Sequence, residues 1–284
     1  MAVIAVGLVL TEVAAASGNP LLNRDWMAEA SGADIRAAIA AEADPLQRGL
    51  NGMTALHRAA ENNNLEAIHV LVSEYGADPN LRLTKDFSVP LHFVGMAARD
   101  DKARARSGDT ARLLIEFGAD IEVTTVNGHT PLMMAVMLGN DTLVAALLES
   151  GADPLAWDRH DQTTLHRAAR HASSEIVEIL LDAMNWQEIE TLNAARKSPS
   201  PYQLALTQNP ALGHTPALER LRLMHDGRFE PGSVTATPPE LPDCEGHSVT
   251  AADTRLSRIA ETVLGDPTRW PEIAELNDLT RGKG

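Results

Sequence analysis

The chain has 284 residues and a net charge of −15, from 39 acidic against 24 basic side chains, a field that repels nucleic-acid phosphates and anionic membrane surfaces. Aromatic residues make up only 4 %, so alanine, leucine, isoleucine and valine must build the core through thin, closely packed helices. A single cysteine, Cys244, excludes an intrachain disulfide and a thiolate-rich metal site.

In chain order, the apolar run Ala2–Leu10 comes first, followed by Ala14 and Ala16 in the A-x-A spacing of a signal-peptidase site. Residues 1–16 therefore read as a signal peptide, with a plain N-terminal tail as the alternative because no basic residue precedes the run. The run is far below the ~20 residues of a bilayer span. The expected location is periplasmic or secreted, and otherwise cytoplasmic.

Asp25–Leu46 then reads as a shortened helix pair closing at Ala43-Asp44-Pro45. Gly52-Met53-Thr54-Ala55-Leu56-His57-Arg58-Ala59-Ala60 opens a full unit, which ends in Gly76-Ala77-Asp78-Pro79-Asn80. A threonine suits a helix N-cap, and a following proline suits the first turn, where no N–H bond is lost. The second helix is marked by Leu65, Ile68, Leu71 and Val72 at three- and four-residue steps. Gly76, Gly118 and Gly151 stand where such helices should stop in a left-handed conformation.

Val89-Pro90-Leu91-His92 and Gly118-Ala119-Asp120 bound a diverged unit with roughly eight extra residues, mostly Arg99–Arg106. Gly128-His129-Thr130-Pro131-Leu132 opens the next unit, which ends in Gly151-Ala152-Asp153-Pro154, and Thr163–Ala169 opens another. That one has Met184 in place of its closing glycine, with an excess through Asn185–Ile189. Both insertions are expected to be loops on one face, open between recognition features and tolerated surface loops. Ser200–Ala205 with Leu218–Gly227 closes the series.

The T-P-L-H-x-A-A pattern, with G-A-D-x-N at the right distance, resembles the ankyrin repeat over about 200 residues. The resemblance implies an all-α solenoid of helix-turn-helix units with β-hairpin-like loops, about six of them between residues 17 and 227, the terminal ones degenerate. It also implies a non-enzymatic scaffold that binds a protein partner, expected as a monomer.

After residue 227 the composition changes. Residues 228–247 hold Pro231, Pro238, Pro239 and Pro242 without a helical period and read as a semi-extended linker. In residues 248–284, Ser248-Val249-Thr250 suggests a short strand. Leu256, Ile259, Ala260 and Val263 share one helix face, and Trp270, Ile273 and Leu276 mark a second helix. Asp253-Thr254-Arg255-Leu256 with Trp270-x-x-Ile273-x-x-Leu276-Asn277 resembles a LysM module lacking its last strand. That resemblance implies binding of glycans such as peptidoglycan, with Asp253, Thr254 and Asn277 as groove walls. Ala252 stands where the family has glycine, and a plain helical hairpin is the alternative.

No catalytic constellation emerges. His57, His92 and His166 share one repeat position, which points to a structural role. Asp158-Arg159-His160-Asp161 has no second cluster at ligand spacing, and the sequence holds no P-loop, dinucleotide fingerprint, H-E-x-x-H or G-x-S-x-G. The expectation is a chain with no enzyme activity, no cofactor and no metal. The partner surface is expected on the hairpin tips and the exposed sides of the first helices, with Trp157, Arg159 and His160 at one tip. Asn127 and His129 belong to the tip before it, and Arg82 and Lys85 to the one preceding that. A second reading is a cell-envelope anchor whose tail binds peptidoglycan while the repeats hold a client.

Overall fold

Short helices in pairs are the unit of this chain. The computed structural model describes residues 18–97, 101–184, 199–213 and 215–226. The signal-peptide reading of residues 1–16, the excess at Asn185–Ile189, the 228–247 linker with Cys244, and the 248–284 segment with Asp253, Thr254 and Asn277 all lie outside those residues.

Among the described residues, twelve α-helices form six consecutive pairs. These are α1 (Arg24–Glu29) with α2 (Gly32–Ala40), α3 (Ala55–Glu61) with α4 (Leu65–Ser73), and α5 (Pro90–Phe93) with α6 (Asp101–Glu116). They continue with α7 (Pro131–Met137) and α8 (Asp141–Glu149), α9 (Thr164–His171) and α10 (Ser174–Ala183), and α11 (Pro201–Gln208) and α12 (Pro216–His225). Most are under three turns long, too short to persist alone in water. Their stability comes from stacking. First helices pack on first helices of neighbouring units, and second helices on second helices.

Local sequence sets each start and stop. Thr130 and Thr163 cap α7 and α9 by accepting the N–H of Met133 and His166, and Pro131 occupies the first turn of α7. At the far ends, Gly76, Gly118 and Gly151 take φ of 67°, 87° and 93°. The alanine after each glycine returns its N–H to Leu71, Leu114 or Leu147, which satisfies carbonyls that the helix leaves open.

The apolar faces then merge into one core. Leu56, Leu91, Leu132 and Leu165 from the first helices are at most 2 % exposed, and Ile68, Leu114, Leu147 and Leu180 from the second helices are fully buried. Asparagines stitch units together at the turns between helices. Asn64 caps α4 through Ala67 N–H, and its amide donates to the carbonyls of Met27 at 2.8 Å and Ala30 at 2.7 Å in the preceding unit. Asn140 caps α8 and donates to Ser107 Oγ at 2.9 Å.

The charged insertion is not a loop. Residues 101–106 continue directly into α6, which runs for 16 residues, while its partner α5 shrinks to 4. A stretch rich in lysine, arginine and alanine without glycine or proline has high helix propensity, which explains the outcome. The extension also braces its neighbours: Asn63 donates to Ala103 O at 2.9 Å, and Arg104 Nη1 donates to Gly139 O at 3.3 Å.

Candidate partner-binding surface

Among the described residues the chain turns back on itself between units in four tight tips. Each is closed by a backbone hydrogen bond: Gly49 to Met53 at 2.7 Å, Leu83 to Ser88 at 2.8 Å, Thr125 to His129 at 3.0 Å, and Asp158 to Gln162 at 2.9 Å. The tips also bond to one another. Thr84 N–H donates to Asn51 O at 2.9 Å, Val126 N–H to Asp86 O at 2.7 Å, and Arg159 N–H to Asn127 O at 3.1 Å. Four loops distant in sequence thereby become one ridge with backbone spacing fixed by hydrogen bonds.

Close approach demands glycine at the third tip. Gly128 has φ +78°, and a Cβ there would lie 2.9 Å from Arg159 N and 3.1 Å from Asp158 Cα. Gly128, which opens a unit in the sequence, is therefore a contact between units as well as a turn.

The fourth tip is organised by a residue that sequence reading weighed only as a metal ligand. Asp158 is buried, and its Oδ1 accepts the N–H of His160 at 2.7 Å and of Gln162 at 3.1 Å. Its Oδ2 accepts Arg167 Nε at 2.9 Å and also pairs with Nη2. Burial works against the charge on Asp158, but the Arg167 guanidinium and the two backbone N–H groups outweigh it and hold the carboxyl below its ordinary range. Among the described residues no group of three or more His, Cys, Asp or Glu is arranged to hold a metal.

The repeated histidines lie under the ridge. Nδ1 of His57 and of His166 sits 2.8 Å from the Oγ1 of Thr54 and Thr163, and Nδ1 of His92 accepts Val89 N–H at 3.2 Å. With Nδ1 an acceptor, the proton resides on Nε2, and His92 Nε2 donates to His129 O at 3.1 Å in the next tip. Burial pushes all three imidazoles down to about 4.

The predicted surface residues fall along the ridge. Arg159 and His160 are exposed on the fourth tip, and Asn127 is exposed on the third beside Arg159. His129 is half-buried, with Nε2 lacking a hydrogen-bond partner among the described residues, and burial lowers its pKa. Trp157 is 40 % exposed at the base of the fourth tip, bridged to Thr163, with its ring centroid 6.1 Å from that of His166. Arg82 and Lys85 are exposed at the second tip, and Arg82 Nη1 reaches Thr124 O at 3.2 Å across the gap to the third. Sequence reading missed two apolar side chains on the same ridge: Leu50 is 90 % exposed and Phe87 46 %. The only sequence signal was their place in the connections between helices, Leu50 between Gly49 and Asn51 and Phe87 between Asp86 and Ser88.

Comparison with known proteins agrees with this geometry. Models of the ankyrin repeat match residues 51–82, and models of three copies of it match residues 97–191. Transient receptor potential cation channel subfamily A member 1 from Homo sapiens is 30 % identical over 131 residues, 46 % of this chain and 11 % of that protein. An ankyrin repeat protein of Rickettsia felis is 36 % identical over 99 residues, covering 34 % and 42 % of the two chains. The p105 subunit of nuclear factor NF-kappa-B from Mus musculus is 28 % identical over 206 residues, covering 71 % of this chain and 19 % of its own length. The match thus spans less than half of each of these relatives. With helix pairs stacked, tips bonded and repeat models matched, residues 51–82 and 97–191 match the ankyrin-repeat family, and the described residues form an all-α ankyrin-repeat solenoid.

Proposed function

We propose that this chain is a non-catalytic scaffold that holds a protein partner along its tip ridge and the adjoining sides of the first helices. The hydrogen bond from Arg159 N–H to Asn127 O carries this reading, because it sets Asn127, Arg159 and His160 side by side next to half-exposed Trp157. A large amphipathic ring that is neither buried nor part of the packed core suits an interface anchor. Arg82 and Lys85 extend the same surface, and His129 supports it from beneath.

Trp157→Ala should leave the melting temperature near that of the parent chain and weaken partner binding by about 2 kcal/mol or more, roughly thirtyfold. Calorimetric titration of a partner captured on the full chain reads both effects. A sharp fall in melting temperature would instead make Trp157 part of the core.

The apolar run Ala2–Leu10 and the Asp253-Thr254 and Asn277 pattern support an exported form of this scaffold whose tail binds peptidoglycan. An exported fraction should then begin near Ser17 and co-sediment with purified peptidoglycan. An intact Met1 in the cytosol ends the export reading, and a tail that stays in the supernatant ends the glycan reading.

A further inference from the structure

The second tip differs from the other three in length, backbone and charge. Its closing bond spans Leu83 to Ser88, one residue longer than the bonds from Gly49 to Met53, Thr125 to His129 and Asp158 to Gln162. Just before the closing residue, each tip needs positive φ. Gly52 and Gly128 meet the need without strain, and Asp161 meets it at modest cost, as short polar residues do. The second tip places Phe87 there, at φ 62°. A bulky aromatic in the left-handed region is an outlier that a folded chain keeps only against its own backbone preference. No packing repays it: Phe87 is 46 % exposed and belongs neither to the buried core nor to the half-buried residues packed on it.

Charge singles out the same place. Many arginines of this acidic chain are matched to carboxylates, among them Arg24 and Arg58 to Glu61, Arg36 to Glu74, Arg112 to Glu149 and Arg167 to Asp158, while off the ridge Arg104, Arg106 and Arg170 make no ion pair among the described residues. Arg82 and Lys85 at the second tip, Arg48 beside the first and Arg159 on the fourth make no ion pair among the described residues. The acidic residue of the second tip, Asp86, turns Oδ1 to Ser88 N–H at 3.1 Å. On a chain of net charge −15, a ridge of uncompensated cations around exposed apolar side chains is a local inversion of the surface.

We propose that the second tip, with Phe87 at its apex and Arg82 and Lys85 beside it, is the contact centre of the ridge for an extended acidic peptide segment bearing an apolar side chain. Phe87 supplies the desolvated anchor, Leu50 on the preceding tip widens the apolar strip, and the cations fix the segment's charge and register. The net charge of −15 repels such a segment over much of the surface, so its approach is steered to the basic patches, and the ridge adds exposed apolar side chains to its cations. The inference rests on the scaffold reading and names the partner's chemistry.

The test is selection of random dodecapeptides displayed on phage against the full chain, followed by titration of the enriched peptides on variants. Enrichment in aspartate and glutamate around an apolar residue is expected. Affinity should drop about tenfold or more on Phe87→Gly and on the double variant R82E/K85E, and it should weaken as salt rises. Phe87→Gly should leave the melting temperature unchanged or raise it by a few degrees, since it removes backbone strain. A sharply lowered melting temperature would make Phe87 a structural residue and overturn the proposal. A basic or uncharged consensus would do the same, as would single-stranded oligonucleotides that bind equally well on the parent and on Phe87→Gly. Peptides that bind the repeats but ignore all these substitutions overturn the second tip as contact centre and leave the scaffold reading standing. If no peptide is enriched, the second-tip proposal fails, and if in addition the full chain captures no partner, the scaffold reading fails with it.

Discussion

Lowering the pH from 7 to 5 should remove about 6 kcal/mol of folding stability. His57, His92 and His166 titrate near 4 in the folded chain and near 6.5 when unfolded, because burial excludes the charged ring. A depressed histidine pKa means the unfolded chain binds protons first as the pH falls. The stability is therefore whole above about 6.5, declines through the window down to 4, and is lost below it. Linkage over that interval gives about 2 kcal/mol per imidazole at pH 5. The geometry supplies the cause: each Nδ1 accepts from a threonine hydroxyl or a backbone N–H, and a second proton on the ring turns that acceptor into a donor facing a donor. Since single domains retain only about 5–15 kcal/mol in total, the repeats should be close to unfolding at pH 5. Urea titrations at both pH values read the effect, and His92→Gln should cut the loss by about a third. Equal stability at pH 7 and 5 would show that the rings are not held neutral.

Asp158→Ala should cost about 3–5 kcal/mol, although Asp158 lies in a loop. The substitution leaves Arg167, whose side chain is only 14 % exposed, without its carboxylate. It also strips the acceptor from His160 N–H and Gln162 N–H. Asp158→Asn keeps an acceptor for the backbone but loses the charge, so its cost should fall between those of the parent and the alanine variant. Denaturant midpoints of the three chains provide the comparison. A loss under about 1 kcal/mol for Asp158→Ala would mean that water replaces the pair freely.

The helix pairs, their threonine caps and their glycine stops were legible in the sequence because each depends on a few neighbouring residues. Thr163 caps the helix that begins at Thr164, and Gly151 ends the helix that closes at Glu149. The family pattern likewise repeats within one unit, so the solenoid could be read without knowing how the units meet. Tertiary structure alone decided what happens between units. The insertion at 101–106 has helix-favouring composition, but its length and place in the repeat read as a loop, and only the fold shows it continuing α6 with contacts to Asn63 and Gly139. Met133 stands where His57, His92 and His166 repeat, and it is fully buried without the hydrogen bonds that the ring supplies. Asp158 looked like one of four polar residues in a turn, and only the fold brought Arg167 back over it. Phe87 shows the limit most plainly. Its exposure and its left-handed backbone arise from a tip one residue longer than the others, held between Asn51 and Val126 by bonds that no local sequence signal encodes.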